Sequence, residues 1–291
     1  MPLSDMEKKT LEDVADELCD SKGWTRGVFL GEGSYKVVYR VEMEGSQVGA
    51  LKLLNSGASE QRTEREIDAM RKCNHPQIAS LLEVGEYVRP SQCRFKYMVE
   101  EFFGGGTLDD RWDAGDMDAA DAVALALSLV SPLAHLRSLR LVHRDVKPAN
   151  IMYREGGDAP VLGDLGLVRF LGRESLTASF MPKGLGTPYY MAPEQWRNDK
   201  ALTDWRADQF SVGVMLTQLV TGWHPYQDCD PLDDGATIHR LMNYLDPCSL
   251  PLGMLRNQGL DSIIPMVLPR PHQRYRKPED LERAMRGIQG A

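Results

Sequence analysis

This 291-residue chain has little that would support a disulfide framework, a thiolate metal cage or a membrane anchor. Cysteine is scarce: Cys19, Cys73, Cys93, Cys229 and Cys248 are odd in number, scattered and without CxxC spacing, as expected for reduced thiols. Positive charge is not in excess either. Lys and Arg total 34 against 42 Asp and Glu, a net charge of −8, so no nucleic-acid partner is expected, because phosphate contacts need clustered cations. The chain opens MPLSDMEKKT, charged where a leader peptide would be apolar. Its longest apolar stretch, Ala119 to Leu136, is broken by Asp121 and His135 and falls short of the ~20 clean apolar residues of a bilayer span. It reads as a buried amphipathic helix, so no membrane segment is expected. These features lead us to expect a soluble, cytoplasmic protein.

With 42% hydrophobic and 26% charged residues, the composition is that of an ordinary globular protein. Residues 4–19 have a helical pattern: Ser4 and Glu7 form a capping box, Leu11, Val14, Ala15 and Leu18 share a face, and Gly23 ends the helix. From Trp24 to Phe103 the pattern is mostly strand. GVFLG and KVVYRVEM flank a glycine-rich turn, Glu44-Gly45-Ser46 makes a hairpin and GALKLL follows. A charged helix over 60–72 precedes strands at 81–87 and 95–101. After Gly104-Gly105-Gly106 the chain turns helical, with helices near 117–138, 205–221, 234–244 and 278–287. The expected fold is α+β. A helical extension (1–24) precedes a small five-stranded antiparallel lobe with one helix (25–103), a short hinge, a larger mainly helical lobe (104–287) and a tail (288–291).

The residues with chemical potential occur in a fixed order. Gly31, Glu32, Gly33 and Ser34 lie between two strands, where glycines let backbone N–H groups face phosphates, although such a run is usually only a plain turn. Lys52 sits on the third strand and Glu66 on the following helix. A buried lysine needs such a partner, yet each residue alone reads more readily as an ordinary surface charge. The decisive run is His143-Arg144-Asp145-Val146-Lys147-Pro148-Ala149-Asn150. It packs a base, a cation and an amide into eight residues, and Asp164-Leu165-Gly166 follows fourteen residues after Asn150. Such a set suits phosphoryl transfer: Asp145 to orient a hydroxyl, Lys147 to neutralise a moving phosphate, Asn150 and Asp164 to hold a metal.

This series resembles the Hanks-type, eukaryotic-like serine/threonine protein kinases over about residues 25–287. The resemblance implies the bilobal protein kinase fold and transfer of the γ-phosphate of ATP to serine or threonine of protein substrates, the chain itself included. It implies Mg2+, or Mn2+ in its place. Lys52 resembles the third-strand lysine and Glu66 its helix partner; Asp145 resembles the catalytic aspartate, with Asn150 and Asp164 as metal ligands. Val38, Ala50 and Met152 would sandwich adenine, and the backbone at Glu101–Phe103 would bond its edge. Gly186 to Glu194 is similar to the stretch that closes an activation segment, in which Thr187 would contact Asp145 and Lys147. Ser175, Thr177 and Ser179 are candidate phosphorylation sites. Asp208 resembles the buried aspartate that caps a central helix, and Arg274 the arginine that pairs with Glu194. In this family, a lysine placed as Lys147 goes with serine/threonine specificity.

Three positions depart from the family pattern. Leu165 replaces phenylalanine, Lys36 takes the place of a third glycine, and Glu100 stands at the position before the hinge. Lys36 is expected to face solvent at the start of the second strand. The alternatives to an active kinase are a pseudokinase used as scaffold or allosteric partner and a small-molecule kinase of the aminoglycoside type. Lys52, Glu66, Asp145, Asn150 and Asp164 argue against the first, Arg144 and the 186–194 stretch against the second. The oligomeric state has no signature in the chain.

Overall fold

Ser4 starts the first helix. Its hydroxyl accepts from the Glu7 amide at 3.3 Å, and the Glu7 carboxylate accepts from the Ser4 amide at 2.8 Å, satisfying two backbone donors that a helix leaves open. Helix α1 (Asp5–Lys22) ends at Gly23, whose φ of 66° suits a residue without Cβ. The computed structural model describes residues 3–33, 35–55, 60–171, 188–227 and 234–289, and the chain divides into two units.

The first unit comprises residues 1–74 and 79–104. Strands β1 (Thr25–Gly33), β2 (Lys36–Glu42) and β3 (Val48–Leu54) precede α2 (Glu60–Lys72), and β4 (Leu81–Val88) and β5 (Arg94–Glu101) complete an antiparallel sheet of order β1-β2-β3-β5-β4. Side chains alternate between its faces. Val37, Tyr39, Leu51, Leu53, Tyr97 and Val99 form one face, which is buried together with Leu11, Val14, Ala15 and Leu18 of α1. The N-terminal helix therefore belongs to the core of this unit. Ion pairs border the packed face: Lys22 with Glu83 at 2.8 Å, Arg89 with Glu17 at 2.7 Å, and Arg26 with Asp16. The turn between β2 and β3 places Gly45 at φ 76°.

The second unit comprises residues 75–78 and 105–291. Its elements are α3 (Leu108–Arg111), α4 (Ala119–Ser138), β6 (Leu141–Val142), β7 (Ile151–Tyr153), β8 (Pro160–Leu162), β9 (Arg169–Phe170), α5 (Pro193–Trp196), α6 (Trp205–Thr221), α7 (Asp234–Met242), α8 (Ser249–Asn257) and α9 (Pro278–Gln289). By length and composition alone α4 is apolar enough to cross a bilayer, which its interruptions had argued against. Here Ala122, Val123, Ala126, Leu129, Leu133 and Leu136 are buried, and α4 packs against α6 and α9 as a core helix. The sequence pattern does not predict helix α8, because Pro251 and Gly253 lower its intrinsic propensity. Pro251 falls in the first turn, where its missing N–H costs nothing, and buried Leu252 and Leu255 hold the helix in a unit where it packs against α6. Among the described cysteines, Cys19, Cys73, Cys93 and Cys248 are free thiols.

Candidate active site

In the first unit, strand register assembles the nucleotide-type residues. Val38 pairs with Lys52, Lys52 with Met98 and Ala50 with Glu100, so all five occupy the sheet face opposite α1. Lys52 is buried, and two carboxylates hold its ammonium: Glu66 of α2 at 3.7 Å and Glu100 of β5 at 2.5 Å. The sequence motifs point to Glu66 and not to Glu100 as the partner of Lys52. The signal was available in the period-two pattern, since Glu100 lies two residues from Met98 on the strand beside Lys52. Gly31 and Gly33 fall in β1, and Gly33 pairs with Lys36. Glu32 is exposed and bonds Lys8 of α1 at 2.8 Å. Lys36 begins β2 half-buried, less exposed than expected. The Glu101 amide donates to the Ser80 carbonyl at 2.9 Å, so it is already engaged; Phe103 is half-buried just past β5.

In the second unit, a short loop between β6 and β7 carries the acid and its supports. Lys147 Nζ lies 2.9 Å from Asp145 Oδ2, and Asn150 Nδ2 donates to the same oxygen at 3.0 Å and to the Asp145 carbonyl at 2.7 Å. Asp145 is thereby fixed while its side chain stays about a quarter exposed, at 27%. The β7–β8 hairpin brings Asn150 and Asp164 together: Ile151 pairs with Leu162, and the Gly163 amide donates to the Asn150 carbonyl at 2.9 Å. Met152, on β7, is half-buried against Gly163, where a Cβ would lie 1.9 Å from its Cε. Buried His143 locks the loop: Nδ1 accepts from the Asp145 amide at 3.3 Å, so Nε2 carries the proton and donates to the Gly163 carbonyl at 2.9 Å.

Arg144 and Asp164 have positive φ, 71° and 54°, which costs an ordinary residue about 1–3 kcal/mol and persists where surroundings enforce it. For Arg144 the enforcement is visible. Buried Asp208 accepts from the His143 amide at 2.8 Å and the Arg144 amide at 2.7 Å, and Gln195 donates to the Arg144 carbonyl at 3.0 Å. Burial pushes the Asp208 carboxyl up to about 6, opposed by His143 and by these two amides. The expectation that Asp208 caps a helix is corrected. Asp204 caps α6, accepting from the Arg206 amide at 2.9 Å, and Asp208 lies a turn further in, where its carboxylate satisfies the loop instead. Glu194 and Arg274 form a fully buried bidentate pair at 2.7 and 3.0 Å. Ser34, Ser175, Thr177, Ser179 and Thr187 lie outside the described residues.

Among the described residues, no three His, Cys, Asp or Glu side chains converge as a metal cage. Asp164 and Asn150 nonetheless offer the hard oxygen donors that suit Mg2+, an ion usually held by one or two protein groups together with substrate phosphates. The donor set fits.

A five-stranded sheet unit with a buried lysine and a helical unit with this acid-bearing loop together define the protein kinase fold. The family model described as protein kinase domain matches residues 24–251. Similar chains include myosin light chain kinase A of Dictyostelium discoideum, 32% identical over 205 residues, covering 68% of this chain and 66% of that protein. Serine/threonine-protein kinase PknL of Mycobacterium tuberculosis is 31% identical over 227 residues, covering 76% and 54%. Serine/threonine-protein kinase 1 of Arabidopsis thaliana is 30% identical over 209 residues, covering 70% and 24%. The chain thus spans from a quarter to two thirds of the length of these relatives. It belongs to the protein kinase family, of the Hanks type.

Proposed function

We propose that this protein transfers the γ-phosphate of ATP to serine or threonine hydroxyls of protein substrates, itself among them, in the cytoplasm. One observation carries the reading: Asp145 is pinned by Lys147 and Asn150 through one carboxylate oxygen while its side chain remains partly open. The substrate hydroxyl gives its proton to Asp145 as its oxygen bonds to the γ-phosphorus, and the bond to the β-phosphate bridging oxygen breaks to release ADP. Lys147, 2.9 Å from the acid, is placed to neutralise the charge that moves with the phosphoryl group. Lys52 is the residue for the α- and β-phosphates, with Val38 and Ala50 of the same sheet face against adenine. Asn150 and Asp164 are the ligands for Mg2+, or Mn2+, which neutralises phosphate charge when bound.

Specificity for serine and threonine is supported by Lys147 and by relatives named as serine/threonine-protein kinases. The test is incubation with Mg-ATP and a lysate, followed by mass-spectrometric location of new phosphosites. Phosphoserine and phosphothreonine that vanish with Asp145→Ala are expected. Phosphotyrosine would overturn the specificity, and no transfer at all would favour the pseudokinase alternative.

A further inference from the structure

Of Glu66 and Glu100, Glu100 lies nearer the Lys52 ammonium, and the phosphate-holding role assigned to Lys52 and Glu66 makes no use of it. At equal dielectric, Coulomb attraction scales as the inverse of distance, so 3.7/2.5 makes the Glu100 contact about 1.5 times the stronger. The two contacts also differ in what fixes them. Lys52 and Glu100 lie on adjacent strands, diagonal on one face, a separation of about 7–8 Å that two long side chains bridge readily. Strand register alone therefore sets this contact, whereas Glu66 reaches Lys52 only while α2 is docked on the sheet. All three side chains are buried, at 8% exposure for Lys52, 9% for Glu66 and 4% for Glu100.

We propose that Glu100 is a positioning residue for Lys52: a second counter-ion, carried by the sheet, which shares with Glu66 the holding of the ammonium. A buried ammonium without a counter-charge is costly, while one facing two carboxylates keeps a partner when either is neutralised. Loss of one carboxylate leaves the other still facing the ammonium; loss of both removes the counter-charges that α2 and the sheet each supply. The consequence for ATP use rests on the kinase reading, but the pairing itself does not.

The test is a cycle of Glu66→Gln, Glu100→Gln and the double variant in the full chain, with two readouts. For ATP kinetics, each single variant should raise KM about threefold, and the double about a hundredfold instead of the ninefold product, with kcat changing less. For the ammonium itself, reductive methylation read by mass spectrometry should leave Lys52 protected in both single variants and modified in the double. If Glu66→Gln alone matches the double in either readout, or if Glu100→Gln lowers the KM for ATP, the proposal is wrong. If even the wild type transfers no phosphate, the kinase reading fails, and methylation still decides the pairing. Should the double variant not fold, adding Lys52→Met restores folding if the ammonium deprived of both carboxylates is the cause; continued unfolding counts against the proposal.

Discussion

Replacing Arg274 by methionine removes a buried charge whose every donor is satisfied. The guanidinium has five N–H donors. Two meet Glu194 at 2.7 and 3.0 Å, and the others reach the carbonyls of Leu268 at 2.8 Å, Arg206 at 3.0 Å and Pro269 at 2.9 Å. The cation also lies 4.6 Å from the Phe210 ring centroid. Neither member of the pair is exposed. Arg274→Met strands a buried carboxylate, which costs about 3–5 kcal/mol, and deprives three carbonyls of donors at roughly 1 kcal/mol each where water does not replace them. A loss near 5 kcal/mol corresponds to a fall in Tm of roughly 10–20 °C for a unit of this size. Arg274→Met/Glu194→Leu should recover roughly 3 kcal/mol, because it removes the stranded charge and leaves only the carbonyls. Thermal unfolding followed by circular dichroism is the assay. If Arg274→Met lowers Tm by less than about 3 °C, the pair is not holding α5 to the segment before α9, and this reasoning fails.

Asp208 should make stability depend on pH in an unusual direction. Its folded pKa, raised to about 6, exceeds the ordinary 3.8, so the native state binds the proton more tightly and this group's contribution falls as pH rises from about 4 to 6. Denaturant melts across that range should show Asp208→Asn gaining on the wild type as pH rises, and a constant difference would contradict the assignment. Asp145→Ala should lower kcat by orders of magnitude with little change in the Kd for ATP, measured by steady-state kinetics and calorimetry; a selective loss of ATP binding would move Asp145 out of its role. Lys52→Met should cost most of the activity and Lys36→Met little, and a larger loss of kcat/KM for ATP in Lys36→Met would reverse that order. Leu11→Ala should destabilise the first unit by about 2–5 kcal/mol in a urea titration, because Leu11 is buried in the sheet core; an unchanged midpoint would mean α1 is not part of that core.

Much of this architecture was legible from local patterns. Ser4 and Glu7 announce α1, and KVVYRVEM and GALKLL either side of Glu44-Gly45-Ser46 announce β2 and β3, because caps and turns act over a few residues. Asp145, Lys147, Asn150 and Asp164 could be read for the same reason: each lies in a short motif whose chemistry is stated by neighbours in the chain. What could not be read locally depended on which distant segments meet. Leu11 and Leu18 face a helix surface in the sequence, but the sheet they cover is set by the folding of three strands beneath them. Asp208 looks like a helix cap until the amides of residues 143 and 144, more than sixty positions away, are found at its carboxylate. Glu100 gains its meaning from the register of β3 against β5, which places it beside Lys52. A charge on a strand has no partner until another strand supplies one, and burial then makes that choice strong because no water competes for the contact.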